Sequence, residues 1–438
     1  MSATGQTTQR QRVVITGMGI ICGLGDDLDT VWSEMCAGTC AIRPVTIFDT
    51  KGYRSQIAAE VSPLPPPPVH RLRENPRRLS RTDLLSFHAA EAALRDARLI
   101  EAPESMDATC QGAACCAPTG LSEVGIFFGA GSGGMRSIEV YRRAIHFGRL
   151  GFQPVRRRPS PSLLVPYALN TTTDLIAQCW NLGGPRLTVS TVCTSSTNAL
   201  GLAFRAVREG RARAILAGGG DGLCELTFAG FNSMRAVDSE PCRPFDRNRR
   251  GLSLGEGAAF LVVEDLESAR VRGVAPLAEF LGYGHTSEAY HITAPDMTGA
   301  EVARTLRLAL ADAGIAPDEI DHINAHGTAT PYNDVAESRG IGIALGERAR
   351  QIPICSIKAM VGHCLGAAGA IEAVAAVRTL QTGWVPPTIH YETPDPDCPL
   401  DYVPNRLRRS KPRTVLSSNF AFGGNNAALV FRRMKDER

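Results

Sequence analysis

The chain has 438 residues, is 44% hydrophobic and carries a net charge of only +3. That length fits one large two-lobed unit or about three domains, and the composition is that of a globular protein with ample core. The charge is too small to argue for nucleic acid. No apolar run reaches the ~18 residues that span a bilayer, and Met1 to Arg12 is polar with no apolar signal core behind it. The expectations are therefore no nucleic-acid partner, no membrane and a cytoplasmic location. Thirteen cysteines without regular spacing do not make a disulfide framework. Cys110, Cys115 and Cys116 cluster in a Gly/Ala/Pro-rich stretch with no nearby histidine, which reads as a loop and not as zinc. Lysine is scarce: Lys51, Lys358, Lys411 and Lys435 are all there are, so a lysine inside a motif stands out.

Apolar, strand-like segments recur in two comparable sets. The first runs Val13 to Ile20, Val124 to Gly131, Leu187 to Cys193, Ala214 to Asp221 and Ala258 to Asp265. The second runs Leu277 to Gly284, Ile320 to Gly327, Ile354 to Gly362, Thr414 to Phe422 and Ala427 to Arg433. Helical spacing of apolar residues appears between them over Thr82 to Asp96, Asn198 to Arg208, Ala300 to Ala313 and Ala367 to Leu380. Near-continuously apolar strands are buried on both faces, so each set predicts a mixed sheet covered by helices. Five strands answering five is the pattern of an internally duplicated α/β chain. The division falls at 1–270 and 271–438, and the short stretch from Glu267 to Pro276 predicts that the halves pack as one unit.

Chemistry concentrates at strand ends. Cys193 follows the strand Leu187-Thr-Val-Ser-Thr-Val and precedes a helix, where free N–H groups and the helix dipole favour a thiolate nucleophile. An isolated cysteine is more often a small buried hydrophobe, but two histidines occupy matching places. His326 lies in Asn324-Ala-His-Gly-Thr-Ala-Thr-Pro-Tyr-Asn-Asp-Val-Ala-Glu337 and His363 in Lys358-Ala-Met-Val-Gly-His-Cys-Leu-Gly-Ala-Ala-Gly-Ala-Ile-Glu372. Loops at the carboxyl ends of parallel strands are the usual seat of α/β sites, and imidazole exchanges protons near neutrality. Phe422-Gly-Gly-Asn-Asn426 allows a tight turn whose backbone N–H groups can face an oxyanion. No Gly-x-x-x-x-Gly-Lys-Ser/Thr pattern occurs, so nucleotide binding is set aside.

With these motifs the chain resembles the β-ketoacyl-acyl carrier protein synthases of the thiolase superfamily, in particular the type II elongating enzymes and the related ketosynthases of type II polyketide systems. The resemblance runs from about Arg12 to Arg433 and includes Arg243-Pro-Phe-Asp-Arg-Asn-Arg-Arg-Gly-Leu-Ser-Leu-Gly-Glu-Gly257 and Val385-Pro-Pro-Thr388. It implies a duplicated five-layer α-β-α-β-α fold and a decarboxylating Claisen condensation in fatty acid elongation. The alternative is the ketosynthase subunit of a type II polyketide or polyene pathway, acting beside a chain-length-determining partner.

By the same resemblance Cys193 takes the acyl group, His326 and His363 stabilise the malonyl-derived enolate, and Lys358 supports the site electrostatically through Glu337. The N–H groups of Cys193 and Phe422 form the oxyanion hole, with Phe422 and Gly423 as a gate. Thr328 and Thr330 meet the phosphopantetheine arm of the carrier protein, and Phe231 and Ser132 line the acyl pocket. Asp334, Glu337 and Glu372 support the site. Asn324, Glu372, Ser417 and Ser418 could surround a structural sodium or potassium ion, and no other cofactor or catalytic metal is implied. Arg71, Arg73, Arg77, Arg78 and Arg81, extended by Arg156, Arg157, Arg158 and Arg235, fall where the family keeps its landing surface for an acidic carrier protein. A homodimer, or a heterodimer with a synthase-like chain-length subunit, is implied as well.

Departures from the family pattern are a longer segment from Glu101 to Leu121, Cys364 in place of an aliphatic residue, Ala421 in place of glycine, and the small Ser132. A biosynthetic thiolase is the nearest rival, but its second catalytic cysteine is missing after the strand Thr414 to Phe422. A non-catalytic chain-length subunit is the other, and retention of Cys193 argues against it.

Overall fold

The computed structural model describes residues 11–66, 78–101, 120–149 and 160–434, with the backbone alone for 147–149. All ten expected strands form. Numbered along the chain, they are β1 (Val13–Cys22), β2 (Gly125–Gly129), β3 (Arg186–Val189), β4 (Ala214–Asp221), β5 (Gly257–Asp265), β6 (Ala278–Ser287), β7 (His322–Asn324), β8 (Ile354–Cys355), β9 (Thr414–Phe420) and β10 (Asn425–Arg432).

Their order repeats. The first half runs β1-β5-β4-β2-β3 and the second runs β6-β10-β9-β7-β8, so each half places its first, fifth, fourth, second and third strands side by side. The senses repeat too. In each half the first, fifth and fourth strands are antiparallel neighbours, and the fourth, second and third are parallel. The two first strands join the halves through an antiparallel contact pairing Val13 with Phe280 and Ile15 with Ala278. The parallel strands carry their carboxyl ends to the same side of each sheet, and that is where the reactive loops emerge.

Close packing of helix on sheet follows the duplication. Helix α1 (Arg81–Asp96) lies on β1, and a Cβ on Gly17 would sit 2.3 Å from the amide nitrogen of Ala97. In the second half α3 (Ala300–Ala313) lies on β6, and a Cβ on Gly282 would sit 2.6 Å from the Ala309 carbonyl oxygen. Only glycine admits such an approach. Between the sheets run α2 (Ser195–Arg208) and α5 (Ala368–Thr382); α5 is apolar nearly all round and buried along most of its length, as a central helix must be. The five layers are thus helix, sheet, paired helices, sheet and helix, the thiolase-type α/β arrangement that the resemblance implies. Among the described residues no helix is long and apolar enough to cross a membrane.

Several elements escape the sequence patterns. Helices Leu28–Ala37, Met135–Arg149 and Asn170–Trp180 form without being expected. So does α4 (Asn333–Leu345), whose buried face includes Asp334, Glu337, Ser338 and Gly340 and therefore shows no apolar period. The segment Ile354 to Gly362 is strand only at β8, after which Lys358–Val361 makes one helical turn. Likewise β3 ends at Val189, well before Cys193.

Candidate active site

Cys193 sits in a 3-10 turn, Val192–Thr194, that leads into α2. Val192 holds φ 56°, a conformation costing a β-branched residue about 1–3 kcal/mol. The bend it makes turns the Cys193 side chain inward, leaving it 4% exposed while Val192 is 41% exposed. Hydrogen bonds hold the bend in place: Tyr283 donates its hydroxyl to Asn198 Oδ1 at 2.8 Å, Asn198 Nδ2 donates to Thr191 Oγ1 at 2.8 Å, and the Thr191 N–H donates to Ser195 Oγ at 2.9 Å.

His363 Nε2 lies 2.9 Å from Cys193 Sγ, and the rings of His326 and His363 meet edge to face with centroids 5.3 Å apart. The Arg243–Gly257 motif explains why His363 holds its place: the His363 N–H donates to the Ser253 carbonyl at 2.7 Å, and Gly255 N–H donates back to the His363 carbonyl at 3.1 Å. The same motif braces the other histidine loop. Asp334 accepts from the N–H groups of Phe245 and Ala329, and Arg249 Nε donates to the Thr330 carbonyl at 3.3 Å. Val385 to Thr388 contributes Thr388, whose hydroxyl accepts from Ser356 N–H at 3.0 Å beside β8.

The thiol departs from expectation. Burial pushes the Cys193 pKa up to about 12, and the nearby Lys358 charge and the Phe422 N–H at its sulfur offset only part of that cost. Cys193 stands one residue, Thr194, ahead of α2, and burial outweighs the helix dipole there, so the resting group is a thiol. Both histidines are held well below their ordinary range, by burial first and then by Lys358, so both rest neutral. Cys193 Sγ and His363 Nε2, 2.9 Å apart, stand close enough for a proton to pass between them.

Lys358 also departs from expectation. It is paired with Glu372 and not with Glu337. Its Nζ donates to Glu372 Oε1, to the His326 carbonyl at 2.6 Å and to His326 Nδ1 at 3.1 Å. Glu337 instead accepts the N–H groups of His326 and Gly327 at 2.7 and 2.8 Å, and burial raises its pKa to about 8. One carboxylate holds the lysine and the other holds the loop.

A cavity of about 460 Å³ opens on this cluster. Cys193, His326, His363, Thr328, Thr330, Phe231, Phe422 and Gly423 all line it. Phe231 and Phe422 stack with centroids 5.8 Å apart. Ser132 does not line it: its hydroxyl and N–H both donate to Asp221 Oδ1. Among the described residues Asn324 Oδ1 and Ser417 Oγ are buried without hydrogen-bond partners, whereas Ser418 reaches Glu337 and Glu372 is engaged by Lys358 and Asn419. Of the basic residues, Arg235 and Arg78 are exposed and Arg235 lines the cavity. Arg81 is withdrawn from any landing surface by its ion pair with buried Glu256. Arg71, Arg73, Arg77 and Arg156 to Arg158 lie outside the described residues, as do Cys110, Cys115 and Cys116 and residues 102–119 of the long segment.

Two positions at the site carried no sequence signal of their own. Asp221, at the end of β4, accepts N–H groups of Gly131, Ser132, Gly133 and Gly366. Asn419, on β9, contacts His326, Glu372 and Thr197. Each sits at the end of an apolar strand, and that placement was the available clue.

The Beta-ketoacyl synthase N-terminal domain family model matches residues 10–269, and its C-terminal domain model matches residues 277–392. A 3-oxoacyl-[acyl-carrier-protein] synthase 2 from Coxiella burnetii is 37% identical over 435 residues, 98% of this chain and 100% of that protein. Among solved structures, the ishigamide ketosynthase/chain length factor superposes with a TM-score of 0.85 at 34% identity, covering 97% of this chain and 100% of that one. A type II polyketide ketosynthase, solved with its acyl-carrier protein and bound to the hexaketide, superposes with a TM-score of 0.83 at 29% identity, covering 98% and 100%. Full-length matches of this kind, on a duplicated fold with a Cys-His-His cluster at its strand ends, assign the chain to the beta-ketoacyl synthase family.

Proposed function

We infer that the chain catalyses the decarboxylating condensation of an acyl-enzyme thioester with malonyl-acyl carrier protein, giving a 3-ketoacyl-acyl carrier protein in fatty acid elongation. The contact of 2.9 Å between Cys193 Sγ and His363 Nε2 beside His326 carries the reading. Cys193 passes its proton to His363 and attacks the acyl thioester carbonyl. The N–H groups of Cys193 and Phe422 receive the oxyanion, and the phosphopantetheine thiolate leaves, taking the proton. Malonyl thioester then enters. His326 and His363 donate hydrogen bonds to its thioester oxygen, the bond to the carboxylate breaks, carbon dioxide departs and the enolate carbon attacks the acyl carbonyl. The tetrahedral adduct expels the Cys193 sulfur as a thiolate, which takes a proton from solvent through His363. Thr328 and Thr330 hold the phosphopantetheine arm, and Phe422 and Gly423 gate the cavity that Phe231 lines.

The partner is an acyl carrier protein, met by Arg235 at the mouth and by Arg78, and steering by such charge weakens with salt. The chain divides at residue 270 into a half carrying the nucleophile and a half carrying the histidines. Strand β3 ends the sheet with one edge unpaired, and Leu187 and Val192 are exposed beside it, which suits pairing with a second copy. The buried, unpartnered oxygens of Asn324 and Ser417 suit a sodium or potassium ion, which would tie β7 to β9 beneath His326.

A second reading, a type II polyketide ketosynthase acting beside a chain-length subunit, is favoured by the likeness to the ishigamide ketosynthase/chain length factor. The test that separates them is condensation by the purified chain alone, with acyl- and malonyl-carrier proteins and product read by mass spectrometry. A 3-ketoacyl product from the single chain supports elongation. Product only when a synthase-like second chain is added supports the other reading.

A further inference from the structure

His326 Nδ1 meets two groups, and both are donors. Lys358 Nζ lies 3.1 Å from it, and an ammonium offers only hydrogens. Asn419 Nδ2 also lies 3.1 Å from it. The Asn419 amide has one tolerable orientation. Its Nδ2 lies 2.6 Å from Glu372 Oε2, an acceptor, and its Oδ1 accepts the Thr197 hydroxyl at 2.6 Å. Turned over, the amide would set its oxygen against the carboxylate at that distance and leave no donor for His326. A ring nitrogen facing two donors keeps its lone pair, so the proton of neutral His326 resides on Nε2.

We propose that Asn419 is a positioning residue for the condensation step: oriented by Glu372 and Thr197, it joins Lys358 in holding His326 as a permanent Nε2–H donor. The inference rests on the role given to His326 above. His363 is built differently, for among the described residues its buried Nδ1 has no partner. No group at Nδ1 among them fixes its tautomer, so the ring can take the Cys193 proton at Nε2 in one half-reaction and donate from it in the other. A second proton on His326 would have to lie on Nδ1, between the Lys358 and Asn419 donors, so the ring stays a donor at Nε2. The two imidazoles thus divide the work into a fixed donor and a proton carrier.

The test uses the full chain with Asn419→Asp, which keeps the shape and replaces a donor by an acceptor, and Asn419→Ala. Acylation of Cys193 and decarboxylation of malonyl-carrier protein are measured separately, and NMR on protein with ¹⁵N-labelled histidine reads the His326 tautomer in the unsubstituted chain. The expected result is acylation within about twofold of the unsubstituted chain in both variants, with decarboxylation reduced roughly 100-fold in Asn419→Asp and roughly tenfold in Asn419→Ala, where Lys358 remains. His326 should show an unprotonated Nδ1 in the unsubstituted chain. Equal losses in both half-reactions, undiminished decarboxylation in Asn419→Asp, or a proton on Nδ1 in the unsubstituted chain would each overturn the proposal. Failure of the unsubstituted chain to acylate at Cys193 would instead overturn the reading beneath it.

Discussion

In the first half of the molecule the fourth strand, β4, ends at Asp221, whose carboxylate is consumed by the N–H groups of Gly131, Ser132, Gly133 and Gly366. In the second half the fourth strand, β9, runs into Phe422, whose N–H points at the Cys193 sulfur. The second strands differ in the same way: β2 leads to the glycine loop that Asp221 clamps, and β7 leads to His326. Only the third strands are alike in use, β3 leading to Cys193 and β8 to His363, and these two residues touch across the duplication at 2.9 Å. A doubled framework has therefore not doubled its chemistry. One copy brings Cys193 and anchors its remaining strand ends, while the other gathers His326, His363 and the Phe422 N–H around that sulfur.

If that division is right, substitutions at equivalent strand ends should fail in different ways. Cys193→Ala should abolish acyl-enzyme formation altogether. His326→Ala should lower condensation roughly 10²–10⁴-fold while acylation persists, whereas His363→Ala should impair both half-reactions because it also takes the thiol proton. Rates of each half-reaction with the separated substrates check this, and equal damage from the two histidines would break the distinction between them. On the anchoring side, Asp221→Ala leaves four N–H groups without their acceptor. It should cost about 3–5 kcal/mol of stability, read as a shift in denaturant midpoint. Near-normal stability with selective loss of condensation would place Asp221 with the chemistry.

The framework itself should respond symmetrically. Gly17→Ala and Gly282→Ala each force a Cβ into helix backbone, and each should destabilise by about 1–3 kcal/mol. A large effect in one half alone would show that the helix contacts are not equivalent. The smallest expected effect is on pH dependence. His322, His326 and His363 are buried and neutral, and burial lowers all three, His322 to about 4. Below their ordinary 6.5 the unfolded chain takes up protons that the folded chain refuses, so stability is complete above that pH and is lost progressively as pH falls toward 4. Buried Glu337, held up to about 8, acts in the opposite direction over this range. The histidine contribution is therefore read as the difference in melting temperature between the unsubstituted chain and His322→Gln. The unsubstituted chain should lose stability relative to the variant from pH 7 to 5, and a constant difference would contradict the buried neutral state.

Much of this arrangement was legible in the amino-acid sequence. Most of the ten strands announce themselves by near-continuous apolar residues, and β3 by the alternation Leu187-Thr-Val-Ser-Thr-Val192, while Cys193, His326 and His363 are marked by falling just beyond strands. What the sequence conceals is pairing through space. Glu337 and Glu372 are both buried carboxylates within reach of the His326 loop, and only the fold gives Lys358 to Glu372 and the loop N–H groups to Glu337. The state of the Cys193 thiol was likewise out of reach, since helix-dipole reasoning favours a thiolate and only the burial of the side chain reverses the balance. Helix α4 hides because its inward face is polar, with Asp334 and Glu337 turned toward the loop they hold.

The claim on which everything else depends is that Cys193 carries the acyl group. The purified chain, incubated with a panel of acyl-carrier proteins and examined by intact and peptide mass spectrometry beside Cys193→Ala, tests it directly. Acyl mass confined to the peptide bearing Cys193, and absent from the substituted protein, is the predicted result. Acylation that persists in Cys193→Ala, or that resides on another cysteine, would contradict it.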